Sequence, residues 1–359
     1  MENEATFGML DLIAQPAFCV QSGVITRANR AAQGRLIAEG TDINDLIKIG
    51  AEEYREFAGG CLYLTLTLNG RGCGATVSRV EDQDVFVLEQ EADQTELQTM
   101  ALAARELRGP LSNVMAIADQ LFPMVNTEDD PAARQQIAQI NRGLFQMLRV
   151  IGNMSDAARY TGPAAPQQET MDICALLDEI FARAQGLVHH GNIELRYTTL
   201  RESIYCSVDA EKLERAVLNI ISNAVKFTPA GGSIDARLTR RGRKLYLRIQ
   251  DSGAGITSPL LGSLFSRYRR EPALEDSRFG IGLGMVLIRA AAAAHGGTVL
   301  VDQPEGQGTR ITMTMEINKN GSCLRSPILR VDYAGERDHA LIELADALPV
   351  SLYEPENIN

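Results

Sequence analysis

The stretch NIISNAVKFTPAGG sets two carboxamides and an ammonium, Asn219, Asn223 and Lys226, at intervals of four and three residues. On a helix those intervals bring the three to one face, while Ile220, Ile221, Ala224 and Val225 turn inward. Such a stripe suits a polyphosphate with its Mg²⁺; taken alone, a solvated helix face explains it as well. Further on, the hydrophobic run LYLRIQ delivers Asp251 into Ser252-Gly253-Ala254-Gly255. A carboxylate at a strand end can accept a hydrogen bond from an exocyclic amine, and neighbouring glycines let backbone approach a flat ring. Residues 256–279 have no apolar period and hold Phe265, Arg267, Tyr268, Arg269, Arg270 and Arg278. Gly280-Ile281-Gly282-Leu283-Gly284 then opens a helical run, MVLIRAAAAAHGG. Bare N–H groups and the helix dipole at such a start cradle anionic oxygens. It is not a P-loop, because no GxxxxGK[ST] exists, and the strand-then-GxGxxG order of a dinucleotide fold is missing.

These residues need a scaffold, and the pattern from 171 to 317 supplies a mixed α/β one. Helices are expected near 172–187, 209–226, 258–266 and 283–295, and strands near 192–198, 203–208, 233–240, 243–251, 298–303 and 308–317. Residues 1–90 read as a small α+β module. PAFCV, a turn at Gln21-Ser22-Gly23, VITRA and a helical NRAAQGRLIAEG lead to LYLTLTL, ATVSRV and VFVLEQ, with Asn69-Gly70-Arg71-Gly72 as a hairpin turn. Residues 91–160 are helical. One stripe runs through Leu97, Ala101, Ala104, Leu107, Leu111, Val114, Ala118 and Leu121 and stops before Pro123. A second begins near Pro131 and runs through Ile137, Ile140, Leu144, Leu148, Ile151 and Met154. Two such helices cannot bury both stripes alone, so two hairpins pairing into a four-helix bundle, a homodimer, is the expected solution. TGPAAPQQET, at 161–170, reads as a linker. Residues 318–359 carry a weak strand (ILRVDY), helix (ERDHALIELADAL) and strand (VSLYE), expected to pack on the preceding domain in an unknown role.

The asparagine-bearing helix, DSGAG, a basic loop, GIGLGM and Gly306-Gln307-Gly308-Thr309 occur in the order and spacing of the GHKL ATP-binding domain. The chain thereby resembles the sensor histidine kinases and their ATPase relatives. The resemblance implies a multidomain α+β protein. It would comprise a PAS-like sensory domain (1–90), an antiparallel helical hairpin forming a dimeric four-helix bundle (91–160), a linker (161–170), an α/β sandwich of the GHKL type (171–317) and a tail (318–359). It also implies ATP and Mg²⁺ as cofactors. Asn223 would hold Mg²⁺, Lys226 would touch phosphate and Asp251 would read the adenine amine. Gly253 and Gly255 would line the base, and Gly280, Gly282, Leu283 and Gly284 the phosphates, with Asn219 and Thr309 completing the site. His295 looks structural in this family. Hydrolytic members carry Glu where this chain has Asn219, and an amide has no useful basicity, so brisk ATP hydrolysis is not expected.

The hairpin's Arg105-Glu106-Leu107-Arg108-Gly109-Pro110-Leu111 aligns with the family's His-Glu-Leu-Arg-Thr-Pro-Leu. The phosphoacceptor histidine is therefore Arg105, with Glu106 at the general-base position, and no histidine lies between 91 and 160. A guanidinium, with a pKa above ~12, stays protonated and is a very poor nucleophile. The family's phosphatase residue falls at Gly109, which has no side chain. The expected protein is a degenerate kinase that binds Mg-ATP and serves as a partner of a response regulator or of another histidine kinase. Two readings stay open beside it: a working kinase using His189, His190 or a partner protein as acceptor, and a non-enzymatic adaptor for a response regulator.

Composition narrows the classes. Thirty-five basic and 46 acidic residues leave a formal net charge of −11, which repels nucleic acid and anionic membrane at long range. No apolar run approaches roughly 18 residues, so no membrane span is expected. The opening MENEATFGMLDL lacks the basic and apolar regions of a signal peptide. Six scattered cysteines fit neither a zinc site nor a disulfide scaffold. A cytoplasmic location is the expectation.

Overall fold

The computed structural model describes residues 10, 13–80, 82–89, 92–125, 130–161, 168–256, 283–304, 308–318 and 337–358. The N-terminal module opens with β1 (Ala17–Gln21) and β2 (Val24–Ala28), an antiparallel pair whose register shifts between Cys19 and Val20. Asn29 caps the short helix α1 (Arg30–Gln33), its Oδ1 accepting from the amides of Ala32 (2.9 Å) and Ala17 (3.1 Å). That helix ends after one turn, although the pattern predicts it to residue 40. Leu36 takes a φ of 63°, and the chain turns back so that the Gly40 amide meets the Ile25 carbonyl at 2.8 Å. Then come β3 (Ile47–Ile49), α2 (Ala51–Arg55), β4 (Cys61–Leu68), β5 (Arg71–Val80) and β6 (Gln83–Leu88). Asn69 (φ 51°) and Gly70 (φ 75°) close the β4–β5 hairpin, with Leu68 opposite Arg71.

The hairpin consists of α3 (Ala92–Leu121) and α4 (Pro131–Thr161). Asp130 starts α4 by accepting from the amides of Ala132 (3.0 Å) and Ala133 (3.1 Å). Pro110 lies inside α3, so the Glu106 carbonyl loses the amide it would otherwise receive. The apolar stripe splits in two. Leu97, Ala104, Leu111 and Ala118 are buried within the chain, whereas Leu107, Val114, Leu121 and, on α4, Ile140 stand exposed.

The third region begins with β7 (Glu169–Asp172), whose first residues lie inside the expected linker. It continues through α5 (Ile173–His189), β8 (Glu194–Thr198), β9 (Tyr205–Val208), α6 (Ala210–Phe227), β10 (Ser233–Arg241) and β11 (Lys244–Asp251). It closes with α7 (Leu283–Ala294), β12 (Val299–Asp302) and β13 (Arg310–Glu316). The sheet runs β8-β10-β11-β13-β12, with only β8 and β10 parallel among its pairs. Ile234, Ala236 and Leu238 point into the core and Asp235, Arg237 and Thr239 away from it, so one face of the sheet is covered by helices. β12 also pairs antiparallel with β4, Val299 opposite Tyr63 and Val301 opposite Cys61, which joins the N-terminal and C-terminal sheets edge to edge.

The tail contributes α8 (His339–Glu343), started by Asp338, whose Oδ1 accepts from Ala340 (2.7 Å) and Leu341 (3.2 Å). VSLYE, expected as a strand, is instead a 3₁₀ turn over Val350–Tyr353. Pro349 supplies the carbonyl that the Leu352 amide returns to, at 3.3 Å. The helix expected near 258–266, the basic loop and the strand ILRVDY lie outside the described residues.

Candidate functional site

At the end of β11, Asp251 is buried, and its Oδ1 accepts from the amides of Gly253 (2.9 Å) and Thr309 (3.1 Å). Burial pushes its carboxyl above the ordinary value, opposed by those amide bonds. The loops around it have no room for side chains. A Cβ on Gly253 would overlap the Phe227 carbonyl oxygen, and one on Gly308, whose φ is 89°, would overlap the carbonyl of Asp251 itself. Backbone from three loops thus closes on one carboxylate. Gly255 (φ 78°) lies beside this group and Thr309 within it.

The other end begins on α6. Asp209 caps the helix, its Oδ1 accepting from Lys212 N at 3.2 Å, while its own amide donates to His295 Nε2 at 3.0 Å. His295 Nδ1 meets the Ala291 carbonyl at 2.7 Å, and complete burial holds the imidazole below its ordinary value, hence neutral. That is a structural histidine.

Along its C-terminal two thirds, α6 presents a face that the sequence suggests is open. It is closed. Asn219 is 1% exposed. Its Nδ2 donates to the Arg215 carbonyl (2.8 Å) and to Glu343 Oε2 (3.2 Å), and its Oδ1 accepts from Arg149 Nη2 (3.4 Å). Lys226 Nζ meets Asp346 Oδ2 at 3.0 Å, and Arg149 Nη1 pairs with the same oxygen. Arg215 reaches Glu343 Oε1 at 3.2 Å and Asp156 Oδ2 at 2.9 Å, and donates to Asn153 Oδ1 at 2.8 Å. Arg149, Asn153 and Asp156 belong to α4, and Glu343 and Asp346 to the tail. Three segments therefore meet on one helix face. Burial acts to raise the Asp346 carboxyl, but Arg149 and Lys226 together outweigh it and hold it below its ordinary value. Burial, reinforced by Arg149, lowers the Lys226 ammonium against the pull of Asp346.

Asn223 shares this face and is half-buried. A Cβ on Gly284 would come within 2.9 Å of Asn219 Oδ1, so the start of α7 rests against the same helix. Leu283 packs with Leu97, Ala157 and Tyr160, tying α7 to the hairpin. Gly280 and Gly282 lie outside the described residues. Arg105 and Glu106 are exposed on α3. His189 ends α5 and His190 caps it, both exposed. The sequence reading missed Arg149, Arg215, Glu343 and Asp346. Arg215 stands four residues before Asn219 and so shares its face, the one available signal.

A second concave feature, an open cleft of about 400 Å³, lies in the N-terminal module among Tyr54, Arg79 and Asp84. These three groups satisfy one another: the Tyr54 hydroxyl donates to Asp84 at 2.9 Å, and Arg79 grips the same carboxylate at 2.7 and 3.0 Å.

A layer of helices over a mixed sheet, with a strand-end carboxylate framed by glycines, defines an ATPase domain of the GHKL type. Residues 208–319 match the family described as histidine kinase-, DNA gyrase B-, and HSP90-like ATPase. The chain is 26% identical over 244 residues to hybrid signal transduction histidine kinase D of Dictyostelium discoideum, covering 64% of this chain and 15% of that protein. It is 27% identical over 234 residues to sensor histidine kinase WalK of Bacillus subtilis, covering 64% of this chain and 38% of that one. The solved structure of full-length ShkA in complex with AMPPNP superposes with a TM-score of 0.51 at 22% identity, covering 63% of this chain and 47% of ShkA, a likeness of fold. Residues 208–319 thus carry the histidine kinase-type ATPase domain, and over about two thirds of its length the chain is similar to sensor histidine kinases, of which it spans well under two thirds.

The residues present fit an adenine nucleotide. At Asp251 a buried carboxylate and bare backbone suit a flat base with an amine. On α6 the donor set of ammonium, guanidinium and carboxamide suits a polyanion. Among the described residues, no helix is long and apolar enough to cross a membrane.

Proposed function

We propose that this chain is a cytoplasmic, dimeric, kinase-like partner in two-component signalling that binds Mg-ATP without phosphorylating itself. The observation that carries it is Arg105, a permanent cation on the exposed face of α3 at the position where the family's motif has its acceptor histidine. Bound Mg-ATP would supply a transferable γ-phosphoryl group. Around it Asp251 would accept from the adenine amine, Lys226 would neutralise phosphate charge, and Asn223 would offer its amide oxygen to Mg²⁺. Gly280, Gly282 and Gly284 would bring backbone amides to the phosphates. Glu106 could still take a proton, but Arg105 gives it no nucleophile to activate.

The exposed row Leu107, Val114, Leu121 and Ile140 supports pairing with a second hairpin, because it continues at helical spacing along faces that nothing among the described residues covers. A response regulator or another histidine kinase would be the signalling partner, with the N-terminal module as sensor. Transfer of labelled γ-phosphate from Mg-ATP to the purified protein, with peptide mapping, tests the reading. No label is expected on a protein that binds ATP. Acid-labile label at His189 or His190, which the structure leaves exposed, would make the chain a working kinase and sink it.

A further inference from the structure

We propose that the C-terminal segment 338–353 is an autoinhibitory latch whose carboxylates, Glu343 and Asp346, hold the cationic face of α6 that nucleotide phosphate would otherwise take. The inference rests on the nucleotide reading above and adds a competitor for it. Its warrant is a matter of counter-ions. Arg149 and Arg215 are buried, and the Lys226 side chain is 5% exposed. Cations withdrawn from water that far require anions at hydrogen-bond distance, since an unpaired buried charge is strongly destabilising. Asp156 serves Arg215, and the tail serves all three: Glu343 serves Arg215 and Arg149, and Asp346 serves Arg149 and Lys226. Glu343 also takes the Nδ2 of Asn219, the residue against which α7 rests. A polyphosphate presents the same kind of charge at the same helix, so tail and phosphate are alternative counter-anions for one set of donors. Both cannot sit there.

The segment is built to hold a defined position. Asn141 Nδ2 donates to the Tyr353 carbonyl (3.0 Å), and Arg142 Nε to that of Ala345 (3.1 Å). The Tyr353 hydroxyl donates to Leu341 O (2.8 Å), and its ring meets Phe145 edge-on at 5.3 Å. His339 Nδ1 lies 3.3 Å from Glu214 Oε2. Yet the carboxylates are carried on a five-residue helix and the turn after it, where regular hydrogen bonding contributes little. Arg149 belongs to the hairpin, so a shift of α4 would move one of the two cations that hold Asp346. The latch is thereby coupled to the element through which a sensor would act.

Asp346→Asn keeps the shape and removes the charge. A latch engaged nine-tenths of the time lowers apparent affinity about tenfold, so the variant should bind Mg-ATP about tenfold more tightly than the parent in calorimetry of the full chain. In the parent, saturating Mg-ATP should speed hydrogen exchange across 338–353. Equal affinities, with tail amides equally protected with and without nucleotide, would overturn the latch while leaving the nucleotide site standing. Failure of both parent and variant to bind Mg-ATP would overturn the nucleotide reading and the latch with it. Because Asp346 sits at the margin of the network, this substitution spares the buried pair beneath it, and exchange on the parent needs no substitution at all.

Discussion

The two ends of the polar site, one at the end of β11 and one on α6, are built by opposite means. At Asp251 the work is done by backbone: Gly253 and Thr309 donate amides, and the loops close because glycines leave no side chain in the way. At Asn219 it is done by long charged side chains from α4, α6 and the tail, brought together over more than a hundred residues of sequence. The first arrangement depends on local conformation and should fail locally. The second depends on charge balance and should fail across all three segments together.

Arg215→Met should be the most damaging way to break the second. It takes from the buried carboxylates Asp156 and Glu343 the cation they share, leaving Asp156 only the half-exposed Arg159 and Glu343 only the more distant Arg149, a loss of up to about 3–5 kcal/mol, read as a lower denaturation midpoint. Adding Glu343→Leu should recover part of that loss, because an apolar replacement of the pair is far less costly than half of it. If the double variant is as unstable as the sum of the singles, the charge-balance account is wrong.

Gly308→Ala should break the first end, and less severely. A positive φ and an overlap with the Asp251 carbonyl together should cost about 1–3 kcal/mol. Nucleotide affinity should be lost, while hydrogen exchange over 338–353 stays as slow as in the parent. Loosening of the tail in this variant would show that the two ends are one unit.

The contrast also explains what was legible beforehand. Asp251 opening DSGAG announces itself, because a strand, a carboxylate and turn glycines are neighbours in sequence. The helices 173–189 and 210–227 and most strands were readable from period alone. Arg149, Glu343 and Asp346 were not, because nothing in an amphipathic helix or a short acidic tail says which cation meets which anion. Asn219 was read as exposed for the same reason: its helix period is right, but the cover comes from elsewhere. VSLYE reads as a strand by composition, and the proline before it decided for a turn. The β4–β12 joint is an edge pairing between distant strands, with no signal in either alone.

Acid should separate the two ends, with the smallest effect of the three. Burial raises Asp251, so it gains its proton while the pH is still above the ordinary value of 3.8. A raised carboxyl favours the folded state in acid, a contribution lost as pH rises through the folded value. Asp346 moves the other way. Arg149 and Lys226 hold it below 3.8 despite burial, so its contribution is complete above the unfolded value and is lost only as pH falls through the lower folded one. Around pH 4, then, Asp251 is losing its charge while the Asp346 pairing is intact. Lowering the pH from 7 toward 4 should weaken adenine-nucleotide binding more in the parent than in Asp251→Asn, which has no charge there to lose. Over the same interval, exchange of the tail amides should not change. If the tail loosens first and affinity rises on acidification, the carboxylate that yields first is Asp346, and the assignment of opposite shifts to the two ends is reversed.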